Sequence, residues 1–296
     1  MREPSTAPSL GGRTPLAISP SIGIARATCP PVMHASPRLR IVFLAADDEF
    51  AGEMQRFLYA RHPDWIVGSV ISSHPIYKRS RIGAALFVLR RSGFIFLREM
   101  LRIRLTGGLL YRKKRVFPSR LARSHNVDVF VCSNINDGRS AATLHAWRPD
   151  LIISTNFSHY IGKPVREAIA RYGCWNLHKS LLPHYRGMAP SFHALLEGAT
   201  TVGATLHVVA KELDVGDVLS QAEVCVSNTD SVYSLNRRTA VAGGRLLAAF
   251  LESYDPTSIK ATPQSGNGRP NYTYPTRAEV KRFRRMGLKF YAYGSE

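Results

Sequence analysis

The sequence has no long apolar run without charges and few cysteines, and each shortage excludes a class of protein. The 296-residue chain contains no stretch of about 18 uncharged apolar residues, which argues against a membrane-spanning helix. Its four cysteines, Cys29, Cys132, Cys174 and Cys225, form no CxxC pair, and its ten histidines lack the HExxH spacing. We therefore expect no disulfide framework, no metal and a reducing, cytoplasmic compartment.

Acidic residues are also scarce, which leaves the chain strongly basic. It has 40 Lys and Arg against 21 Asp and Glu, a formal net charge of +19. Such an excess favours anionic partners, whether nucleic acid, acidic lipid or phosphorylated substrates. The hydrophobic share of 45% is that of a folded domain and excludes a collagen, a coiled coil or a wholly disordered chain.

The first 37 residues differ in composition from the rest of the chain. They are rich in Pro, Ser, Gly and Thr and show no hydrophobic period. Ser and Pro interrupt their apolar stretch at 16–24, which is therefore too short for the apolar region of a signal peptide. We predict that residues 1–37 are a disordered leader, or that the translation start is assigned too early and Met33 is the true start.

From Arg38 onward, short β-branched runs alternate with helical stretches. The predicted strands are 40–46, 65–73, 127–133, 150–156, 173–180, 202–210 and 217–226, and the predicted helices 47–62, 138–147, 163–171, 190–197 and 231–253. This alternation predicts an α/β domain over 38–254 with a doubly wound, mainly parallel sheet. Residues 255–296 are a C-terminal extension whose stretch AEVKRFRRMGLKF predicts an amphipathic helix.

One basic segment interrupts this alternation. Residues 76–123 hold fourteen Lys and Arg against the single acid Glu99, a balance of +13, and place apolar residues between them. This predicts a basic amphipathic helical insertion. Three interpretations stay open: a lid with a solvated face, peripheral membrane docking through 82–115, and binding of a polyanionic partner.

The polar residues with the clearest chemical pattern follow predicted strands. Asn176 and His178 lie two residues apart on one predicted strand, so their side chains point to the same face at its carboxyl end. His207 ends another strand, and Asp214 follows in an acidic, glycine-containing loop. If the Asn, the His and the Asp converge, they can stabilise an oxyanion, move a proton and orient the imidazole.

Three motifs then carry a resemblance to a known family. They are NLHKSLLP at 176–183, YRGMAP at 185–190 and GATLHVVAKELDVGD at 203–217. In this order the chain resembles the 10-formyltetrahydrofolate-dependent formyltransferases, which include glycinamide ribonucleotide transformylase, methionyl-tRNA formyltransferase and sugar N-formyltransferases. The resemblance spans roughly 127–226, with weaker support at 40–46, and implies a Rossmann-like formyltransferase core.

The resemblance implies a catalytic triad of Asn176, His178 and Asp214. In such a site an acceptor amine attacks the formyl carbon of the co-substrate 10-formyltetrahydrofolate. Asn176 and His178 would hold the oxygen of the tetrahedral intermediate. Asp214 would fix the imidazole, directly or through water, and help to pass the amine proton to the leaving group. This chemistry requires no metal.

The resemblance also implies a folate pocket with three walls, formed largely by backbone. Its residues are Asn156, Phe157, Ser158, His159, Tyr160 and Ile161, then Ser180, Leu181, Leu182 and Pro183, then Leu213 in the 209–214 loop. Arg186 and His207 are expected on the substrate side, although packing explains the ring of His207 equally well. Lys179 is either a cation beside the acceptor or a solvated lysine.

The acceptor predicted from these features is a small amine, such as an amino sugar or another biosynthetic amine. Only 82 residues follow Asp214, and 255–296 show no alternating strands, so the β-barrel of methionyl-tRNA formyltransferase is not expected. The alternatives are a methionyl-tRNA formyltransferase without that domain, a 10-formyltetrahydrofolate hydrolase, or a polyanion- or membrane-binding protein on a degenerate core. The identity of the acceptor and the oligomeric state stay open.

Overall fold

The structure is a computed structural model that describes residues 38–74, 76, 78–110, 115–167, 169–256, 260–264 and 271–291, with backbone alone at 104–110. The predicted leader, 1–37, lies outside the described residues. Within them, no helix is both long enough and apolar enough to cross a membrane.

Seven strands of the described chain form one sheet. They are β1 Ile41–Ala46, β2 Ile66–Ser72, β3 Val129–Cys132, β4 Leu151–Thr155, β5 Cys174–His178, β6 Thr201–Val208 and β7 Val218–Cys225. The order is β3-β2-β1-β4-β5-β6-β7. β1 to β5 are parallel, whereas β6 runs antiparallel to β5 and β7 antiparallel to β6. The predicted doubly wound, mainly parallel sheet is confirmed, and its strand order reverses between β1 and β4.

Helices cover both faces of this sheet. They are α1 Glu49–Arg61, α2 Arg81–Leu110, α3 Pro118–Ser124, α4 Gly138–Trp147, α5 Lys163–Glu167, α6 Pro190–Leu196, α7 Val232–Glu252 and α8 Arg277–Arg285. Two predicted helices are too long. The described helix α5 ends at Glu167 rather than 171, and α8 ends at Arg285 because Gly287, at φ +73°, adopts the left-handed conformation that terminates helices.

Two apolar clusters explain why the central strands are buried on both faces. Phe43 of β1 and Trp175 of β5 pack with Leu58 of α1 and Leu247 of α7 on one side. Val42 and its neighbours pack with α4 and α5 on the other. Covered in this way, every residue of β4 is buried, as expected of a parallel strand between helical layers.

The edge strand β7 behaves differently, because its burial alternates along the strand. Cys132 and Cys174 are buried, as cysteines in apolar runs commonly are, but Cys225 on β7 is exposed. Cys225 is exposed because it lies on this edge strand, whereas Cys132 and Cys174 lie under helices.

In the described part of the basic segment, α2 consists of two helical segments that meet at Gly93, where φ is +83°. Its inner face buries Val88 and Phe96 in a third cluster with Phe192 of α6 and Phe283 of α8. The insertion and the C-terminal extension thus pack together beside α6.

Candidate active site

The end of β5 carries the two polar side chains that the sequence singled out. Asn176 Nδ2 lies 3.4 Å from Asp214 Oδ1, and His178 Nδ1 lies 3.6 Å from Asp214 Oδ2. Both side chains leave the same face of the strand and meet the carboxylate, which comes from the loop between β6 and β7. The structure therefore brings the three residues of the predicted triad together.

The loop that carries Asp214 is held in place by backbone and amide hydrogen bonds. Asp214 itself has a left-handed backbone, at φ +55°. The Gly187 amide donates to its Oδ2 at 2.8 Å, and Gln264 Nε2 donates to its carbonyl at 3.1 Å and to that of Gly216 at 2.7 Å. The carboxylate is consequently fixed in position from two other parts of the chain.

Asp214 remains ionised in this setting. Burial opposes its charge, but the hydrogen bond from the Gly187 amide and the imidazoles of His178 and His207, which attract the carboxylate whenever they carry a second proton, outweigh it and hold the pKa of the carboxyl well below its usual range. The site therefore contains a permanent negative charge that is almost shielded from solvent.

His178 sits between this carboxylate and a carbonyl. Its Nε2 lies 3.1 Å from the Tyr185 carbonyl oxygen, which can only accept, so Nε2 carries the proton. Burial lowers the pKa of the imidazole, and the opposing attraction of Asp214 offsets only part of that effect. His178 is accordingly neutral near pH 7, with the lone pair of Nδ1 facing Asp214.

His207 is the fourth member of this cluster. It stands opposite Asn176 in the β5–β6 ladder and is buried, with 2% of its side chain exposed. Its Nδ1 lies 2.8 Å from the Val208 carbonyl oxygen and carries the proton, so Nε2 accepts from Asn176 Nδ2 at 3.0 Å. Of the two interpretations that the sequence left open, the structure favours packing: His207 orients Asn176 from the interior.

The first predicted folate wall, 156–161, is tied to the carboxyl ends of neighbouring strands. Asn156 donates from Nδ2 to Asp48 at the start of α1. Ser158 Oγ donates to the His74 carbonyl at 2.7 Å, and His159 Nε2 lies 3.0 Å from Ser72 Oγ. Burial lowers the pKa of His159 to about 4, so this ring is neutral near pH 7.

Two of the predicted walls adjoin. Phe157 and Val209 both pack against the buried cluster that contains Ile161, which joins the 156–161 wall to the 209–214 loop. Tyr160 and Leu213, one from each wall, leave 40% and 56% of their surface exposed. Large apolar side chains therefore face solvent at the carboxyl edge of the sheet, where ligands of such folds bind.

The third predicted wall, 180–183, is fastened to β6 and β7. Ser180 Oγ donates to the His184 carbonyl at 2.7 Å, and the Leu182 amide donates to Thr205 Oγ1 at 3.0 Å. Gln221 of β7 donates to the Leu182 carbonyl at 2.9 Å. Leu182 is buried, while Leu181 and Pro183 are half-buried.

The expectation for Arg186 is wrong, and one of the two interpretations of Lys179 is excluded. Arg186 was expected on the substrate side, but it is 5% exposed and donates from Nη2 to Gln264 Oε1 at 2.9 Å, so it braces the Asp214 loop. Lys179 is not a solvated lysine, since burial lowers its pKa and its Nζ lies 4.7 Å from the centre of the Phe50 ring. Both side chains pack inward because tertiary neighbours cover them.

Two contributors to the site carry no recognisable signal in the sequence. The Tyr185 carbonyl holds His178, but a backbone oxygen leaves no side-chain signal. Gln264 lies 50 residues beyond Asp214, in a segment without a recognisable motif.

The chain that carries this site is similar to known formyltransferases. Residues 106–251 match the model of the formyl transferase family. The matched region contains Asn176, His178 and Asp214. The chain is 32% identical over 175 residues to methionyl-tRNA formyltransferase from Geobacillus sp., an alignment that covers 58% of this chain and 54% of that protein. The chain thus spans about half the length of the curated relatives it matches.

Solved formyltransferase structures share the fold. Phosphoribosylglycinamide formyltransferase from Anaplasma phagocytophilum aligns with a TM-score of 0.54 at 19% identity, over 78% of this chain and 96% of its own. The N-formyltransferase from Helicobacter canadensis, solved with folinic acid and dTDP-3-aminofucose, aligns with a TM-score of 0.52 at 15% identity, over 79% of this chain and 70% of its own. The predicted family resemblance and the predicted Rossmann-like formyltransferase core are confirmed.

Proposed function

We propose that this protein transfers the formyl group of 10-formyltetrahydrofolate to the amine of a small acceptor, an amino sugar or another biosynthetic amine. The observation that carries the proposal is the convergence of Asn176 and His178 on the ionised Asp214 within the formyl transferase region. These groups supply an N–H donor, a neutral imidazole and a fixed negative charge. Acyl transfer to an amine uses all three.

The residues at the carboxyl edge of the sheet fit the folate. When bound, 10-formyltetrahydrofolate supplies the formyl group on N10. The exposed apolar side chains of Tyr160 and Leu213 offer surfaces for a flat ring, and the walls 156–161 and 180–183 offer backbone groups for its polar edge. The proposal requires no metal, which stays a prediction.

His178 is the proton acceptor in this proposal. Its Nε2 proton is engaged by the Tyr185 carbonyl, so Nδ1 is the atom that takes the proton from the attacking amine. Asp214 Oδ2, 3.6 Å away, then stabilises the imidazolium, which gives this proton to N10 of the folate as the bond between the formyl carbon and N10 breaks. At that separation the carboxylate acts through its charge rather than through a direct hydrogen bond. Such positioned proton transfer contributes about 10²- to 10⁴-fold in rate.

Asn176 is the donor to the developing oxyanion. One N–H of its amide is engaged by His207 Nε2 at 3.0 Å, while the other points to Asp214 Oδ1 at 3.4 Å, longer than an ordinary hydrogen bond. The weakly engaged N–H is therefore the one that can turn to the substrate oxygen. A single donor of this kind contributes about 10²- to 10³-fold in rate.

Methionyl-tRNA is the second candidate acceptor. Relatives at 32–34% identity are named methionyl-tRNA formyltransferase. The net charge of +19 also favours binding to the phosphate backbone of a tRNA. Hydrolysis of 10-formyltetrahydrofolate is the remaining alternative, in which water replaces the amine.

Release of tetrahydrofolate by the purified protein separates these candidates. We expect release that depends on a small amine from a panel of amino sugars and biosynthetic amines, and that is lost in Asp214→Asn. Release that depends only on methionyl-tRNA would replace the small acceptor with tRNA, and release without any amine would indicate a hydrolase. Absence of folate binding would overturn the proposal.

A further inference from the structure

A cavity whose lining includes none of the residues of the polar site lies between α2 and α8. We call it the α2–α8 cavity; its volume is about 770 Å³. It is lined by apolar side chains of α2 and basic side chains of α8: Leu89, Ser92, Gly93, Phe94, Ile95, Arg277, Val280, Lys281, Arg284 and Arg285. Among the described residues, no carboxylate lines it.

The four basic residues of this lining are exposed and carry no counter-charge. Within the described part of the chain, no ion pair is formed by Arg277, Lys281, Arg284 or Arg285. Glu279, the acidic residue of α8, caps the helix by accepting from the Thr276 amide and hydroxyl. The cavity therefore has a concentrated positive potential that an anion would relieve.

A buried hydroxyl gives independent evidence for a ligand. Ser92 is 1% exposed, and its Oγ has no hydrogen-bond partner among the described residues. Leaving such a group unpaired costs about 1–3 kcal/mol, so buried hydroxyls almost always have a partner. Because Ser92 lines the α2–α8 cavity, an acceptor oxygen in the cavity would satisfy it.

Exposed apolar side chains accompany these basic residues on α2 and next to α8. Ile82 and Phe94 of α2 leave 75% and 68% of their surface exposed. Leu86 and Leu101 of α2 and Met286, next to α8, are exposed as well. Ile82 and Leu86 lie one turn apart on the segment before Gly93, and Phe94 and Leu101 lie two turns apart on the segment after it. Within each segment the pair lies away from the buried Val88 or Phe96. We call these five residues and the four cations of the cavity the amphipathic surface.

We propose that the amphipathic surface docks on an anionic lipid bilayer, with a lipid phosphate in the α2–α8 cavity. Arginines and lysines beside exposed Phe, Leu, Ile and Met side chains gain free energy from both the charged headgroups and the acyl boundary of a bilayer. A nucleic acid would reward the cations, but it offers nothing to the aliphatic side chains of Ile82, Leu86 and Leu101. This proposal does not depend on the formyl acceptor.

Vesicle flotation with the full-length protein tests it. We expect binding to vesicles of phosphatidylcholine with phosphatidylglycerol and little binding to phosphatidylcholine alone. Arg284→Gln with Arg285→Gln should weaken the partition coefficient about twenty-five-fold, because each basic residue near an anionic surface contributes about fivefold. The matched control is Arg123→Gln with Arg245→Gln, which removes two exposed charges elsewhere and should change binding little.

Further arms separate the sources of the binding. Phe94→Ser should weaken vesicle binding while the unfolding temperature stays unchanged, because its side chain is exposed. Equal loss in both charge variants would overturn the proposal, as would equal binding to neutral vesicles. The same holds if inorganic phosphate or tRNA binds at the amphipathic surface while anionic vesicles do not.

Discussion

The candidate site around Asp214 and the amphipathic surface treat charge in opposite ways. Asp214 is almost buried, and its carboxylate meets the Gly187 amide, the Asn176 amide and two imidazoles. On the amphipathic surface, Arg284 and Arg285 lie in solvent without an acidic partner among the described residues. A buried charge must be paired, whereas an exposed one is solvated. Single substitutions should therefore matter greatly in the first region and little to folding in the second.

The same contrast holds for apolar side chains only two residues apart. Phe96 of α2 is 5% exposed and packs edge-on against Phe192 and Phe290. Phe94 is 68% exposed on the opposite face of the helix. Folding accounts for the burial of the first residue but not for the exposure of the second, which is the contrast that the proposed docking on a bilayer uses.

The largest effect should follow from removing the buried charge. Asp214→Asn keeps the side-chain shape but removes the partner that stabilises a protonated His178. We expect turnover, measured as amine-dependent tetrahydrofolate release, to fall at least about a hundredfold, and an equal loss in His178→Ala. Circular dichroism controls for folding. Near-normal turnover in a folded variant would contradict the triad.

The next effect concerns the glycine that holds Asp214. Gly187 has φ +92°, and an added Cβ would lie 2.2 Å from the Tyr272 carbonyl oxygen. Gly187→Ala should therefore lower the free energy of unfolding by about 4 kcal/mol, from backbone strain and overpacking together. It should also reduce turnover, because the Gly187 amide moves away from Asp214. Urea unfolding measures the loss.

Gly198→Ala is the matched control for this prediction. Gly198 also has a left-handed backbone, at φ +73°, but an added Cβ would meet nothing within 4 Å. We expect it to cost only the strain, about 1 kcal/mol. Equal losses in the two variants would show that crowding at Tyr272 does not hold the loop.

The strands and the shared face of Asn176 and His178 were predictable because they depend on local sequence patterns. β-branched runs located all seven strands, and the period of two placed Asn176 and His178 on one face. The position of Asp214 came from the family resemblance. Burial of Arg186 and Lys179 could not be predicted, because it depends on Gln264 and Phe50, which are distant in sequence. The junction of α2 with α8 is likewise a tertiary contact between separately amphipathic helices.

A pH-dependent effect of about 3 kcal/mol should come from His159 in the predicted folate wall. The unfolded imidazole takes up a proton below about pH 6.5, whereas burial lowers the folded pKa to about 4. The unfolded state therefore binds more protons between these pH values, so the free energy of unfolding falls as pH falls through this window.

His159→Gln removes this contribution while leaving the other buried histidines in place. The difference between wild-type and variant free energies of unfolding should change by about 3 kcal/mol between pH 6.5 and 4, and stay constant above this range. Urea titrations at a series of pH values measure it. Parallel curves for the two proteins would show that His159 protonates in the folded state as readily as in the unfolded chain.

The smallest expected effect tests the exposed side of the comparison. Phe94→Ala should change the free energy of unfolding by less than about 0.5 kcal/mol and turnover by less than about twofold, because its ring is exposed to solvent. Phe96→Ala is its counterpart and should cost about 3–5 kcal/mol, since it opens a cavity between Phe192 and Phe290. Thermal unfolding of the two variants measures the difference. A Phe94 variant as unstable as its counterpart would place that ring in the core and remove the apolar half of the amphipathic surface.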